Sequence, residues 1–126
     1  MRVTSEATRL DAVDAAWVDV CDADAVLAGT GVAALVREQQ IAIVRTRSDQ
    51  FFALSNFDPF SRTFVLARGL VGDHGGVPTI ASPIYKQCFA LETGQCLEDP
   101  AVTIPVYALR IAAGRVFVSV QGGAQS

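Results

Sequence analysis

One histidine and three cysteines are the whole supply of soft metal ligands in a chain of 126 residues. That shortage excludes any centre that draws two imidazoles from a single chain, including the mixed cysteine–histidine iron–sulfur sites that need two of each. Cys21, Cys88 and Cys96 form no CxxC pair and are odd in number, which removes both a zinc-ribbon spacing and a closed disulfide framework. Charge of one sign is also missing. Ten basic against thirteen acidic residues leave a net charge of −3, so no electropositive field gathers phosphates, and nucleic acid is not an expected partner. Apolar runs are short, as in residues 32–36, and none approaches the ~18–20 residues that a spanning helix requires. The first fourteen residues scatter Arg2, Glu6, Arg9, Asp11 and Asp14 among small side chains. With no apolar stretch behind a basic start, the expectations are a cytoplasmic location and no contact with a membrane.

What is present is a composition for a packed core. Hydrophobic residues make up 51% and charged residues 18%, well outside the disordered range. The length suits one domain, with residues 1–15 expected as an N-terminal tail, 16–121 as the domain and 122–126 as a C-terminal tail. The pattern along the chain is β. Residues 17–21 alternate and meet Asp22-Ala23-Asp24, a turn or the cap of one helical turn. Residues 32–36, 40–46 and 51–55 form a meander, with a hairpin loop at 47–50. Residues 64–67 and 79–82 are read as strands flanking a glycine-rich loop over 69–78. Residues 89–91 lead into a turn at 92–95, in which Gly94 is placed for a positive φ. Residues 106–111 and 116–120 make a hairpin across Gly114, and Pro100 and Pro105 confine the stretch between them to an edge or a connection. Many short strands with glycine turns point to an all-β sandwich or barrel.

Three groups invite chemical readings. The Gly69 to Gly76 loop suggests a phosphate cradle, but no Gly-Lys-Ser/Thr and no helix follow it, and Pro78 removes a donor. Asp73-His74 with Ser61 or Ser82 suggests hydrolysis. Adjacent side chains seldom converge on one point, however, and no Gly-x-Ser-x-Gly elbow is present. His74, if it ligates anything, is expected to borrow partners from another chain. The turns Phe57-Asp58-Pro59-Phe60 and Ser82-Pro83-Ile84-Tyr85 carry aromatic and aliphatic side chains where regular structure is disfavoured. Two outcomes stay open for these rings, folding back as core or forming a partner-docking face.

The same two turns carry a resemblance. Ala53-Leu54-Ser55-Asn56-Phe57-Asp58-Pro59-Phe60 and Ser82-Pro83-Ile84-Tyr85-Lys86-Gln87-Cys88-Phe89-Ala90-Leu91-Glu92-Thr93-Gly94 resemble the frame of a Rieske-like [2Fe-2S] domain. Asp58 and Phe60 stand at the first cysteine and histidine positions, and Ser82 and Tyr85 at the second pair. With Arg68-Gly69-Leu70-Val71-Gly72-Asp73, Leu97-Glu98-Asp99-Pro100 and Ile104-Pro105-Val106-Tyr107, the chain is similar to the small subunits of assimilatory NAD(P)H-dependent nitrite reductases, a Rieske-like group without the cluster ligands. The resemblance implies an all-β Rieske-like fold with two loops at one end and no cofactor, metal or catalytic residue in this chain. It further implies an accessory role beside a large catalytic subunit that carries FAD, sirohaem and an iron–sulfur cluster and reduces nitrite to ammonium with NAD(P)H. Phe57, Phe60, Arg62, Ile84, Tyr85 and Lys86 are the expected docking residues, because interface cores favour aromatic side chains and arginine. Two alternatives remain: a stand-alone binding module using the 69–78 loop, and a ferredoxin-like electron carrier for an oxygenase.

Overall fold

The computed structural model describes residues 17–120; the two expected tails lie outside the described residues. Eleven strands follow in order: β1 (Val18–Asp22), β2 (Thr30–Val36), β3 (Gln39–Arg45), β4 (Phe51–Ser55), β5 (Phe57–Asp58), β6 (Thr63–Phe64), β7 (Leu70–His74), β8 (Val77–Ala81), β9 (Cys88–Ala90), β10 (Val106–Ala112) and β11 (Arg115–Ser119). One six-stranded sheet runs β1-β11-β10-β4-β3-β2 with every pairing antiparallel. It curls until its two edges, β1 and β2, face each other across a groove lined by 18–21 and 32–36. A three-stranded sheet, β7-β8-β9, and a short ribbon, β5-β6, complete the molecule. The expected all-β architecture is therefore the observed one.

Strand β3 lies between two apolar cores. Ile41, Ala42, Ile43 and Val44 are all fully buried, because successive side chains point to opposite faces and both faces are covered. Ile41 and Ile43 pack inside the barrel with Val26, Ala53, Tyr107, Val116 and Val118. Ala42 and Val44 pack outward against Leu54, Leu66, Ile80, Phe89 and Leu91, so the small sheet is fastened to the barrel by apolar burial.

Three hairpins turn on two residues with positive φ at both. These are Arg37-Glu38 (48° and 70°), Gly75-Gly76 (62° and 92°) and Ala113-Gly114 (52° and 75°). Mirror-image turns of this kind match the right-handed twist of the strands they join. The second of them corrects the loop expected over 69–78, which is a regular hairpin pairing Leu70 with Ala81 through to His74 with Val77. Its glycines are a tight turn between strands rather than a relaxed segment. Pro78 lies just before the first β8–β9 pair, Thr79 with Ala90, and its carbonyl accepts from Leu91 N at 2.9 Å. The strand expected over 64–67 is also revised: pairing ends at Phe64, and Leu66–Arg68 forms a 3-10 turn with Leu66 and Ala67 buried. Gly94 has the expected positive φ, +80°, and its backbone lies so close to the Ile104 carbonyl that a Cβ has no room.

Candidate functional site: the two turns at the tip

The first turn leaves β4 and is pinned from below by Asn56. This residue is buried; its Oδ1 accepts from Ala67 N at 2.7 Å, and its carbonyl accepts from Leu66 N at 3.1 Å. Asn is suited to the position because one short amide side chain satisfies a backbone donor that no strand reaches. Above it, β5 and β6 pair Phe57 with Phe64 and Asp58 with Thr63. The Phe57 and Phe64 rings lie 5.1 Å apart, tilted by 60°, within the range of favourable aromatic pairs.

Asp58 is completely buried. Its Oδ1 accepts from Phe60 N at 3.0 Å, and its Oδ2 accepts from Ser61 Oγ at 2.8 Å and from Ser82 Oγ at 2.5 Å. The first two bonds are local, as expected for an Asp that begins a turn. The third crosses to the second turn. Ser82 is fully buried as well, and its hydroxyl also accepts from Ile84 N at 3.2 Å. Ser82 N donates to the Gln87 carbonyl, and Lys86 N to the Ser82 carbonyl, closing the loop 82–87 on itself with Lys86 at φ 68°.

The six docking candidates divide by exposure. Ile84 is 46% and Tyr85 59% exposed, and Arg62 and Lys86 are exposed as well. Phe57 and Phe60 are half-buried, and Phe60 turns toward the core, its ring 6.2 Å from that of Phe89. Phe64, 51% exposed, lies against Phe57 in the same ribbon and was missed by sequence reasoning; no periodicity marks it, since Leu66, two residues on, is buried. Of the two outcomes left open for the aromatic turns, folding back as core is seen for Phe60, while Ile84 and Tyr85 stay exposed.

His74 makes a contact within its own chain: its Nε2 lies 3.6 Å from Cys88 Sγ. Glu98 Oε1 accepts from Cys88 N at 2.9 Å and from Cys96 Sγ at 3.5 Å. Burial pushes the thiols of Cys88 and Cys96 up from their ordinary values, with the Glu98 charge adding to the rise at Cys88. The backbone N–H of Cys88 holds the Glu98 carboxyl below the usual carboxylate range. Protonated thiols are poor nucleophiles and poor ligands, and among the described residues no group of three His, Cys, Asp or Glu side chains is arranged to hold a metal.

The model of the Rieske-like [2Fe-2S] domain family matches residues 16–119. The nitrite reductase (NADH) small subunit of Escherichia coli K12 is 46% identical over 101 residues, which cover 79% of this chain and 94% of that protein. This chain belongs to the family of nitrite reductase small subunits. The solution structure of the NAD(P)H nitrite reductase small subunit from Erwinia carotovora superposes with a TM-score of 0.72 at 46% identity, covering 83% of this chain and 82% of that one. A nitrite reductase NAD(P)H large subunit from Klebsiella oxytoca also contains a related segment, 38% identical over 105 residues, amounting to 83% of this chain and 11% of that protein.

Within this family fold, the residues at the tip do not fit an iron–sulfur cluster. Such a cluster takes thiolates and, in Rieske centres, two imidazoles. Here Asp58 and Ser82 are hydrogen-bonded to one another, Phe60 has no ligand atom and packs on Phe89, and Tyr85 points to solvent. The space between the turns is closed by a carboxylate–hydroxyl bond.

Proposed function

We propose that this chain is the accessory small subunit of a nitrite reductase and works by docking to the large catalytic subunit. The observation that carries the reading is the pair of relatives: a separate small subunit at 46% identity, and a large subunit that contains a 38% identical segment within its own polypeptide. A domain found both beside and inside the catalytic chain is suited to one fixed position on it. The chain itself contributes no redox group, a reading supported by the donor set at the tip. FAD, sirohaem, an iron–sulfur cluster and NAD(P)H are assigned to the large subunit, where nitrite is reduced to ammonium. The expected compartment is the cytoplasm; among the described residues no helix is long and apolar enough to cross a membrane.

The docking face is the tip. Ile84, Tyr85 and Phe64 are exposed apolar side chains of the two turns and the adjoining ribbon, Arg62 and Lys86 are exposed on the same segments, and the one carboxylate of the two turns, Asp58, is buried. The partner surface fitted to it is an apolar pocket with acidic residues at its rim. The test is co-expression with the large subunit: a stable complex is expected, with less of it recovered for Tyr85→Ala and for Ile84→Ser. Wild-type recovery of both variants would move the interface elsewhere. The isolated chain is expected to purify colourless and free of iron; stoichiometric iron would favour the ferredoxin-like alternative, and saturable nitrite or nucleotide binding without the large subunit would favour the stand-alone module.

A further inference from the structure

We infer that Asp58 and Ser82 form a clasp that sets the pose of the docking face: the carboxylate of the first turn holds the hydroxyl of the second, and that hydroxyl holds the backbone of Ile84. The inference deepens the docking reading above and rests on it.

Three observations carry it. The chain of bonds is continuous, from Phe60 N and Ser61 Oγ to the Asp58 carboxylate, from there to Ser82 Oγ at 2.5 Å, and from Ser82 Oγ to Ile84 N at 3.2 Å. Both side chains at its centre are fully buried, which shields the Asp58–Ser82 bond from competing water, and hydrogen bonds to a carboxylate are stronger than neutral ones. Finally, the exposed residues beyond Ser82 have little other support. Ile84 is 46% and Tyr85 59% exposed, and the loop 82–87 is otherwise held by Ser82 N to the Gln87 carbonyl, Lys86 N to the Ser82 carbonyl, Lys86 Nζ to the Pro83 carbonyl at 3.4 Å and Cys88 Sγ to the Lys86 carbonyl at 3.9 Å. Ser82 is therefore a positioning residue: it does not meet the partner, but it fixes the two side chains that do. Preorganisation of this kind raises affinity by removing the ordering cost of binding.

The test uses the whole chain, alone and with its large subunit. Ser82→Ala removes one oxygen. Amide exchange at Ile84 in the isolated chain is expected to accelerate about ten-fold or more, while the amides of 41–44 in β3 keep their wild-type rates, and affinity for the large subunit falls about ten-fold, the size of one lost buried hydrogen bond. Ser82→Thr, which keeps the hydroxyl, restores both. Tyr85→Ala is expected to weaken binding with Ile84 exchange unchanged. If Ser82→Ala does not fold, Asp58→Asn carries the same two readouts. Wild-type exchange at Ile84 in Ser82→Ala overturns the clasp, as does wild-type affinity for Ser82→Ala where Tyr85→Ala binds weakly. Wild-type affinity for Tyr85→Ala and Ser82→Ala together overturns the docking reading instead, and the exchange rate still judges the clasp.

Discussion

The barrel and the tip are held by different physics. The barrel is secured by apolar burial shared among many residues: Ile41, Ile43, Val116 and Val118 inside it and Ala42, Val44, Leu54 and Phe89 outside are buried together, and no one contact is indispensable. The tip is secured by a few directed bonds. Asn56 pins one turn, Asp58 joins it to the other, and Ser82 passes the constraint to Ile84. Burial specifies that a region is compact, whereas hydrogen bonds specify where its atoms point. A surface that must be presented to a partner in one pose needs the second kind of support.

Four substitutions sharpen this contrast. Ile43→Ala leaves a cavity where β3 faces the barrel interior and is expected to cost about 2–5 kcal/mol, read as a lower denaturant midpoint for the whole molecule. Asp58→Ala strands Phe60 N and the two serine hydroxyls and is expected to cost about 1–3 kcal/mol; a loss confined to the exchange of tip amides, with β3 amides unaffected, marks the two regions as separable. A barrel that loosens as much as the tip would erase the distinction. Glu38→Gly acts in the opposite direction. Glu38 sits at φ 70° in a two-residue turn, a conformation that glycine adopts without strain, and the substitution is expected to stabilise the barrel by about 0.5–1 kcal/mol.

The smallest effect concerns acid. The folded state holds the Glu98 carboxyl low, chiefly through Cys88 N–H. Its contribution is thus complete above the unfolded carboxylate value of about 4.3 and fades as pH falls through the lower folded value. The stability difference between wild type and Glu98→Gln, measured by denaturant unfolding, is expected to shrink from pH 6 to pH 3. A constant difference would remove Glu98 from the acid response.

The sequence disclosed the regions unequally. The meander β2-β3-β4, the apolar run of β3, the Gly94 turn and the β10–β11 hairpin were legible because periodicity and glycine act locally. The Arg37-Glu38 turn was not, since neither residue carries a turn signature. The 69–78 segment was misread because four glycines suggested slack, whereas only the pair Gly75-Gly76 has positive φ and the rest of the segment is strand. At the tip, residue types marked the turns, but the direction of each ring did not follow from them: Phe60 faces Phe89 while Tyr85 faces solvent. Asp58 and Ser82 are 24 positions apart, and His74 and Cys88, also brought together by the fold, are 14 apart. A local reading identifies such residues without pairing them.

The central claim is that the tip is the working surface and the barrel its support. Amide exchange of this chain, free and bound to the large subunit, tests it most directly. Protection on binding is expected at residues 57–65 and 83–87, with none along the unpaired edges β1 and β2; protection along those edges with an unprotected tip would contradict the account.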